Sequence, residues 1–402
     1  MLATLKRSLS LPLLVLYGLG TTIGAGIYAL LGELAGVSGY MAPASFLVAS
    51  FMAALTAASF AELSGRFPHC AGAALYVKEG LNSERLSILV GLLVVAAGLV
   101  SAAALTIAFA GYLHDLFELN KLTTIIAVSL LLGGTAAWGI TQSVFIAALV
   151  TVIEIGGLLL VIAVSHSSFN ELPSRIGELI PSLESASLGA VYSGALLAFY
   201  AFIGFEDMVD VAEEVKEVKR NLPTAILLTL GITTLLYMVI MVAAVLSIHP
   251  SQLAASEAPL AYLYEHYTGD KGIIGVIGLF AIINGALIQM IMASRVLYGL
   301  SSRNLLPALL SKIHPRTRTP LVATFLVTVV VLMLAVTGKL TTLAELTSLI
   351  ILVVFALVNL SLLRIKRRTP VPSDSISFPI WVPALGFLVC SGFVLSQLVA
   401  LF

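Results

Sequence analysis

The sequence predicts an all-α membrane protein of about eleven spans, with the first and the sixth discontinuous. Three observations carry that expectation. The 402-residue chain is 59% hydrophobic and only 10% charged, against about 25% charged in a soluble domain. Eleven stretches supply the roughly 20 apolar residues that a helix needs to cross a bilayer. Two of them are interrupted near the middle, by glycines in one and by glycine and acid in the other.

The stretches run roughly over 12–35, 41–64, 86–112, 122–140, 143–165, 189–212, 223–247, 272–300, 320–337, 342–363 and 379–401. Loops 65–85 and 303–319 are long on one side. Loops 166–188 and 248–271 are long on the other, with room for short helices over the mouth of the protein. Cytoplasmic loops collect Lys and Arg. With the N-terminus inside, seventeen of the 21 such residues fall on the cytoplasmic side, from Lys6 and Arg7 through Arg303, Arg316 and Arg318 to Arg364, Lys366, Arg367 and Arg368. The outside receives Lys121, Arg175, Lys271 and Lys339. An odd count then puts the C-terminus outside. The whole of 1–402 is expected to be one transmembrane domain in the cytoplasmic membrane, surrounded by lipid, with no separate soluble domain and no cleavable signal. Zero net charge argues against nucleic acid. Cys70 falls in a loop and Cys390 in the last span, so no disulfide is expected.

In the first segment the interruption is Ile23-Gly24-Ala25-Gly26. An opened helix within the bilayer leaves N–H and C=O groups that protein or a ligand must satisfy. The N–H groups after such a break favour a carboxylate, and the carbonyls before it suit an ammonium group. The competing reading is that Gly24 and Gly26 let two helices pack closely. In the sixth segment, Tyr200-Ala201-Phe202-Ile203-Gly204-Phe205-Glu206-Asp207 places two carboxylates just past the middle, where charge is costly and usually functional. Glu206 is a candidate cap for the following half-helix, with Asp207 beside it as a gating residue. Tyr200, Phe202 and Phe205 are candidate pocket walls. The alternative is that the segment ends early and its acids already lie at the surface. Two breaks five segments apart point to a transporter with a midplane solute site.

Glu154 lies at the centre of the fifth segment with no Lys or Arg in the same span. It is a candidate for proton coupling, against the alternative of a structural carboxyl bonded to a backbone carbonyl. The six histidines (His69, His114, His166, His249, His266 and His314) lie in loops or at span ends, so no metal or other cofactor is expected. No G-x-x-x-x-G-K-[ST] motif is present and no nucleophile has a base beside it, so neither an ATP-driven pump nor an enzyme is expected.

Four motifs resemble the amino acid–polyamine–organocation (APC) superfamily, and within it the bacterial, archaeal and cationic-amino-acid-transporter-like permeases. They are GTTIGAGIY at 20–28, the run from Ala61-Glu62-Leu63 through Arg66-Phe67-Pro68 to Gly72 and Tyr76, FYAFIGFEDMVDVAEEVKEVKRNLPTAI at 199–226, and ASRVLYGLSSRNLLPALLSKIHPRTRTP at 293–320. The resemblance covers roughly 1–345. It implies a LeuT-like 5+5 inverted repeat, with 1–166 and 189–363 as the two halves, 364–402 as an added span, and alternating access around a midplane site. It also implies that a substrate carboxylate meets the backbone around Gly24, Ala25 and Gly26. The amino group would meet carbonyls near Thr22, Ile23, Tyr200, Ala201 and Ile203. Two departures stand out. Members commonly have twelve spans, and several proton-dependent or sodium-independent members carry lysine where Glu154 aligns. In sodium-coupled relatives of this architecture, carbonyls of the first span and hydroxyls of the eighth hold the ion. Here the middle of the eighth, Ile283 to Gln289, has no Ser or Thr, which favours protons over sodium.

The expected function is secondary-active amino acid transport by proton symport or exchange, as a monomer or homodimer. The apolar, aromatic pocket residues favour neutral substrates. The alternatives are a polyamine or organic-cation permease on the same scaffold, with Glu206, Asp207 or Glu154 pairing the amine, and a solute sensor that does not transport.

Overall fold

A computed structural model describes residues 9–68, 72–138, 144–270, 272–302, 306–314, 317, 319–368 and 376–400, with only the backbone at 24, 25, 144–147 and 400. Lys6, Arg7, Cys70, Lys271, Arg303, Arg316 and Arg318 lie outside the described residues. Among the described residues each of the eleven apolar stretches forms a helix, the sixth only in part, because a helix satisfies its own backbone groups where water is absent. They form α1 (Leu11–Ser38), α2 (Ala42–Arg66), α4 (Glu84–Phe117), α5 (Lys121–Trp138), α6 (Val144–Val164), α8 (Ser185–Tyr200), α9 (Val218–Ser247), α12 (Gly272–Ser302), α13 (Leu321–Thr337), α14 (Leu340–Arg368) and α15 (Trp381–Ala400). Between them lie α3 (Gly72–Leu81), α7 (Leu172–Leu179), α10 (Pro250–Ala255) and α11 (Pro259–Thr268). The long loops 166–188 and 248–271 thus carry the short helices expected of them.

By length and composition, eight helices among the described residues are fit to cross a membrane, or nine if the bent pair Ala148–Val164 and His166–Leu179 is one span. That count takes Leu11–Arg66 as a single run of 56 residues and leaves α13 out as short. A straight helix of that length would measure about 84 Å, well beyond a ~30 Å hydrocarbon core. A 3-10 turn beginning at Gly39, whose φ is +58°, separates α1 from α2.

The first segment is not broken. Its backbone runs as continuous α-helix from Leu11 to Ser38, through Gly24, Ala25 and Gly26. Glycine permits an opened helix but does not compel one, and the unbroken ladder satisfies every backbone group it spans. Gly26 serves close packing instead: a Cβ there would lie 2.7 Å from the Ala201 Cβ. The sixth segment is interrupted. α8 stops at Tyr200, residues 201–204 form turns, and the chain continues as a 3-10 stretch, Phe205–Glu214, rather than an α-helix. Gly204 makes this possible with a φ of +126°, and a Cβ at that position would meet the Thr21 carbonyl carbon at 2.7 Å.

One end of the bundle is marked by a backbone bridge. Leu9 N–H donates to Glu214 O (3.0 Å) and Lys216 N–H to Leu9 O (2.9 Å), so the entries to α1 and α9 lie side by side. The far end is clasped by Arg175 on α7. Its guanidinium donates to the Leu246 carbonyl at the end of α9 (2.9 Å), pairs with Glu171 and Glu178, and lies 5.2 Å over the Tyr40 ring.

Asn359 on α14 joins three spans. Its Nδ2 donates to Thr56 Oγ1 and Phe355 O (2.9 Å each), its Oδ1 accepts from Ser59 (2.6 Å), and Gly386 of α15 packs against the amide. Asn359→Ala is expected to leave these buried hydroxyls short of partners, at a cost of about 1–3 kcal/mol. A lowered melting temperature in detergent checks it; an unchanged one counts against a cementing role for the amide.

Candidate functional site

Two cavities meet at the interruption in the sixth segment. The larger, about 140 Å³, is lined by Gly72–Ala74 of α3, by Gly91 to Ser101 of α4, by Glu206, Asp207 and Asp210, and by parts of α12 and α14. It lies toward the end of the bundle where Leu9 meets Glu214. The smaller, about 30 Å³, is bounded by Gly20, Thr21, Thr22 and Gly26 of α1, Ser101 and Leu105 of α4, Tyr200, Ile203 and Asp207, and Gly285, Ile288 and Gln289 of α12. Ser101 and Gln289 lie near the middles of their helices, so this second cavity sits at mid-depth. The two share Ser101, Ile203, Asp207 and Gln289, which form a neck between them. At about 30 Å³ the inner space holds roughly two waters, so an occupant of amino-acid size must widen it or extend through the neck.

Hydrogen bonds tie the walls together. Thr21 Oγ1 donates to Gly18 O (2.9 Å) or to Gly204 O (3.0 Å), linking α1 to the interruption. Thr22 Oγ1 donates to Gly18 O at 2.8 Å. The Tyr237 hydroxyl of α9 lies 2.9 Å from Thr22 O and 3.1 Å from Ala201 O. The Tyr200 hydroxyl meets Ser101 Oγ at 2.8 Å. The Glu206 carboxylate accepts the Gly204 N–H at 2.9 Å, ahead of the 3-10 stretch.

Of the residues singled out from the sequence, Thr22, Gly26, Tyr200, Ile203 and Asp207 line the inner cavity, and Ile203, Glu206 and Asp207 the outer. Ala201 contributes its carbonyl to Tyr237 and its backbone to the Gly26 crossing. Gly24 and Ala25 are described by backbone alone. Ile23 is buried in the core. Phe202 and Phe205 line neither of these two cavities. Phe202 packs on Phe46 and Tyr237, at 6.1 and 5.5 Å between ring centroids, and Phe205 on Phe60 and Phe355, at 5.9 and 5.4 Å. Once the α-period is lost at residue 201, the face each ring takes no longer follows from spacing.

Glu154 lines neither cavity. It is 1% exposed, and neither carboxylate oxygen has a hydrogen-bond partner among the described residues. Its backbone carbonyl accepts from the Tyr28 hydroxyl (2.9 Å), and the Tyr28 carbonyl accepts from Tyr112 (2.7 Å). The sequence reading missed Ser101, Gln289 and Tyr237 as site residues. A lone Gln near the middle of an apolar span was the one available signal.

Comparison with known proteins bears on the family of the whole chain. The family described as "Amino acid permease" matches residues 9–402. The branched-chain amino acid permease BcaP of Bacillus subtilis is 26% identical over 423 residues, covering 98% of this chain and 88% of that protein. Cationic amino acid transporter 3, mitochondrial, of Arabidopsis thaliana is 29% identical over 401 residues, covering 93% of this chain and 64% of its own length. Cationic amino acid transporter 4, vacuolar, of the same plant is 29% identical over 404 residues, with coverages of 93% and 66%. The chain therefore spans about two thirds of the length of these plant transporters.

Proposed function

The chain belongs to the amino acid permease family, as a multi-pass membrane transporter rather than an enzyme, and we propose that it carries amino acids by alternating access through the mid-depth cavity. One observation carries this reading. Two backbone carbonyls, Thr22 O on α1 and Ala201 O at the interruption, converge on a single donor beside that cavity. A position that holds one O–H between two carbonyls is chemically suited to an ammonium group.

The outer cavity, widening toward the end marked by Leu9 and Glu214, supports a form of the protein facing that side, with Arg175 closing the other. The Lys and Arg distribution supports a cytoplasmic N-terminus in the cell membrane, and so an inward-facing form. The proposed scaffold is the pair of inverted repeats, 1–166 and 189–363, with 364–402 added. Glu206 is proposed to fix the hinge at Gly204, and Asp207 to gate the neck. Transport is proposed to run as proton symport or as exchange, with Glu154 as the proton-carrying group. The absence of Ser and Thr from Ile283 to Gln289 weighs against sodium.

A second reading, a cationic substrate, is favoured by the carboxylates of Glu206, Asp207 and Asp210 on the outer cavity and by the lack of Lys, Arg or His among the described residues lining either cavity. The names of the relatives span both branched-chain and cationic amino acids. Uptake into proteoliposomes of labelled leucine, alanine, glutamate, lysine and spermidine, with and without an imposed pH gradient, separates these readings. Accumulation or exchange of at least one amino acid is expected. Transport of spermidine alone would favour the polyamine reading, and transport of none would end the permease reading.

A further inference from the structure

Tyr237 is fully buried on α9, with its ring held between Phe46 and Phe202 at centroid distances of 5.6 and 5.5 Å. That packing aims its hydroxyl at Thr22 O (2.9 Å) and Ala201 O (3.1 Å) at once. A phenol has one proton, so it donates fully to one of these carbonyls at a time, Thr22 O accepting it beside its bond within α1. Ala201 stands just beyond the last residue of α8, where the ladder of that helix ends. An alkylammonium group brings up to three donors and can serve both carbonyls together.

We propose that the Tyr237 hydroxyl is a built-in stand-in for the substrate amino group, occupying the Thr22 and Ala201 carbonyls until an α-ammonium group takes them over. The inference rests on the reading that the amino group binds between α1 and the interruption. Binding then exchanges one hydrogen-bond set for another, so affinity is held down. Release is assisted, because the phenol retakes the carbonyls as the substrate leaves. The same bond pins α1 to the interrupted segment between substrates. Tyr237 acts here as a positioning residue with a competing donor.

Tyr237→Phe removes the competitor and keeps the ring packing. Losing one ordinary hydrogen bond from the empty form corresponds to roughly three- to ten-fold tighter binding. Binding of L-leucine and L-lysine to the purified protein is measured directly, and exchange kinetics in proteoliposomes alongside. The expected result is a three- to ten-fold lower Kd for the transported amino acid, with KM and kcat falling together. Competition by 4-methylpentanoate and 6-aminohexanoate, the counterparts without the α-amino group, is expected to be unchanged by the substitution. Tyr237→Met, which removes the hydroxyl with a different shape, shares the direction of the effect and guards against a folding defect peculiar to one variant. Equal or weaker binding in both variants overturns the inference, as does an equal gain for the compounds lacking the α-amino group. Failure of the parent protein to bind either amino acid removes the substrate reading and the inference with it. Binding by the parent with no gain in the variants removes the inference alone.

Discussion

Glu62→Ala is expected to destabilise the protein by about 3–5 kcal/mol, the range for breaking a buried ion pair from one side. The Glu62 side chain is wholly buried near the end of α2. It accepts from Arg66 Nε (3.1 Å) and Nη2 (2.7 Å), from Lys366 Nζ of α14 (2.6 Å to each oxygen), and from the Phe378 N–H ahead of α15 (2.9 Å). Arg66 and Lys366 are themselves nearly buried, at 3% and 8% side-chain exposure. Truncating the carboxylate leaves two cations and a backbone donor without their shared acceptor, and their desolvation is no longer offset. The expected readout is a large drop in the folded fraction recovered after purification and in melting temperature. Glu62→Gln, which keeps an acceptor but no charge, is expected to be less damaging than Ala. Adding Lys366→Met to Glu62→Gln is expected to recover part of the loss. A Glu62→Ala protein that melts with the parent would remove the network from any structural role.

Glu62 also shows what could be read from the chain alone. Its motif pointed to a family, and Arg66 stands one helical turn away, but Lys366 on α14 and Phe378 before α15 lie about 300 residues off, and no local pattern records that pairing. The eleven helical stretches were legible because length and apolarity are what the bilayer demands of a self-satisfied backbone. The break in the sixth was legible because Gly204 and Phe205 are followed by two carboxylates inside an apolar run. The first segment was ambiguous in principle: Gly-x-Gly serves an opened helix and a close helix crossing equally well. The crossing of Gly26 on Ala201 depends on the sixth segment, about 175 residues further along the chain. Thr22, Gly26, Tyr200, Ile203 and Asp207 could be named from the glycine motif of the first segment and the break in the sixth. Ser101, Tyr237 and Gln289 come from spans whose sequence is otherwise plain lipid-soluble helix, and only the packing brings their polar atoms to the same place.

Glu154→Gln is expected to abolish accumulation driven by a pH gradient while leaving one-for-one exchange of amino acid in place. A carboxyl engaged in fixed hydrogen bonds or an ion pair must break them to change its proton. Neither oxygen of Glu154 makes such a bond among the described residues, so this group is free to gain or lose one. Among the described residues the phenols of Tyr28 and Tyr237 lie near enough to feel a charge on it. Tyr28 also anchors the Glu154 backbone carbonyl, and Tyr237 touches the carbonyls of α1 and the interrupted segment. A change of charge on Glu154 is therefore placed to be felt where the substrate amine is proposed to bind. Glutamine preserves the shape and removes the titration. Proteoliposomes with an inward proton gradient are expected to show Glu154→Gln uptake no higher than without the gradient, with the pH dependence of uptake flattened. Counterflow under equal pH is expected to stay near the parent rate. Full gradient-driven uptake in the variant would take the proton role from Glu154. Loss of counterflow as well would make it a structural residue of the α1–α6 contact, because a group that only carries the coupling proton is not needed when no net proton moves.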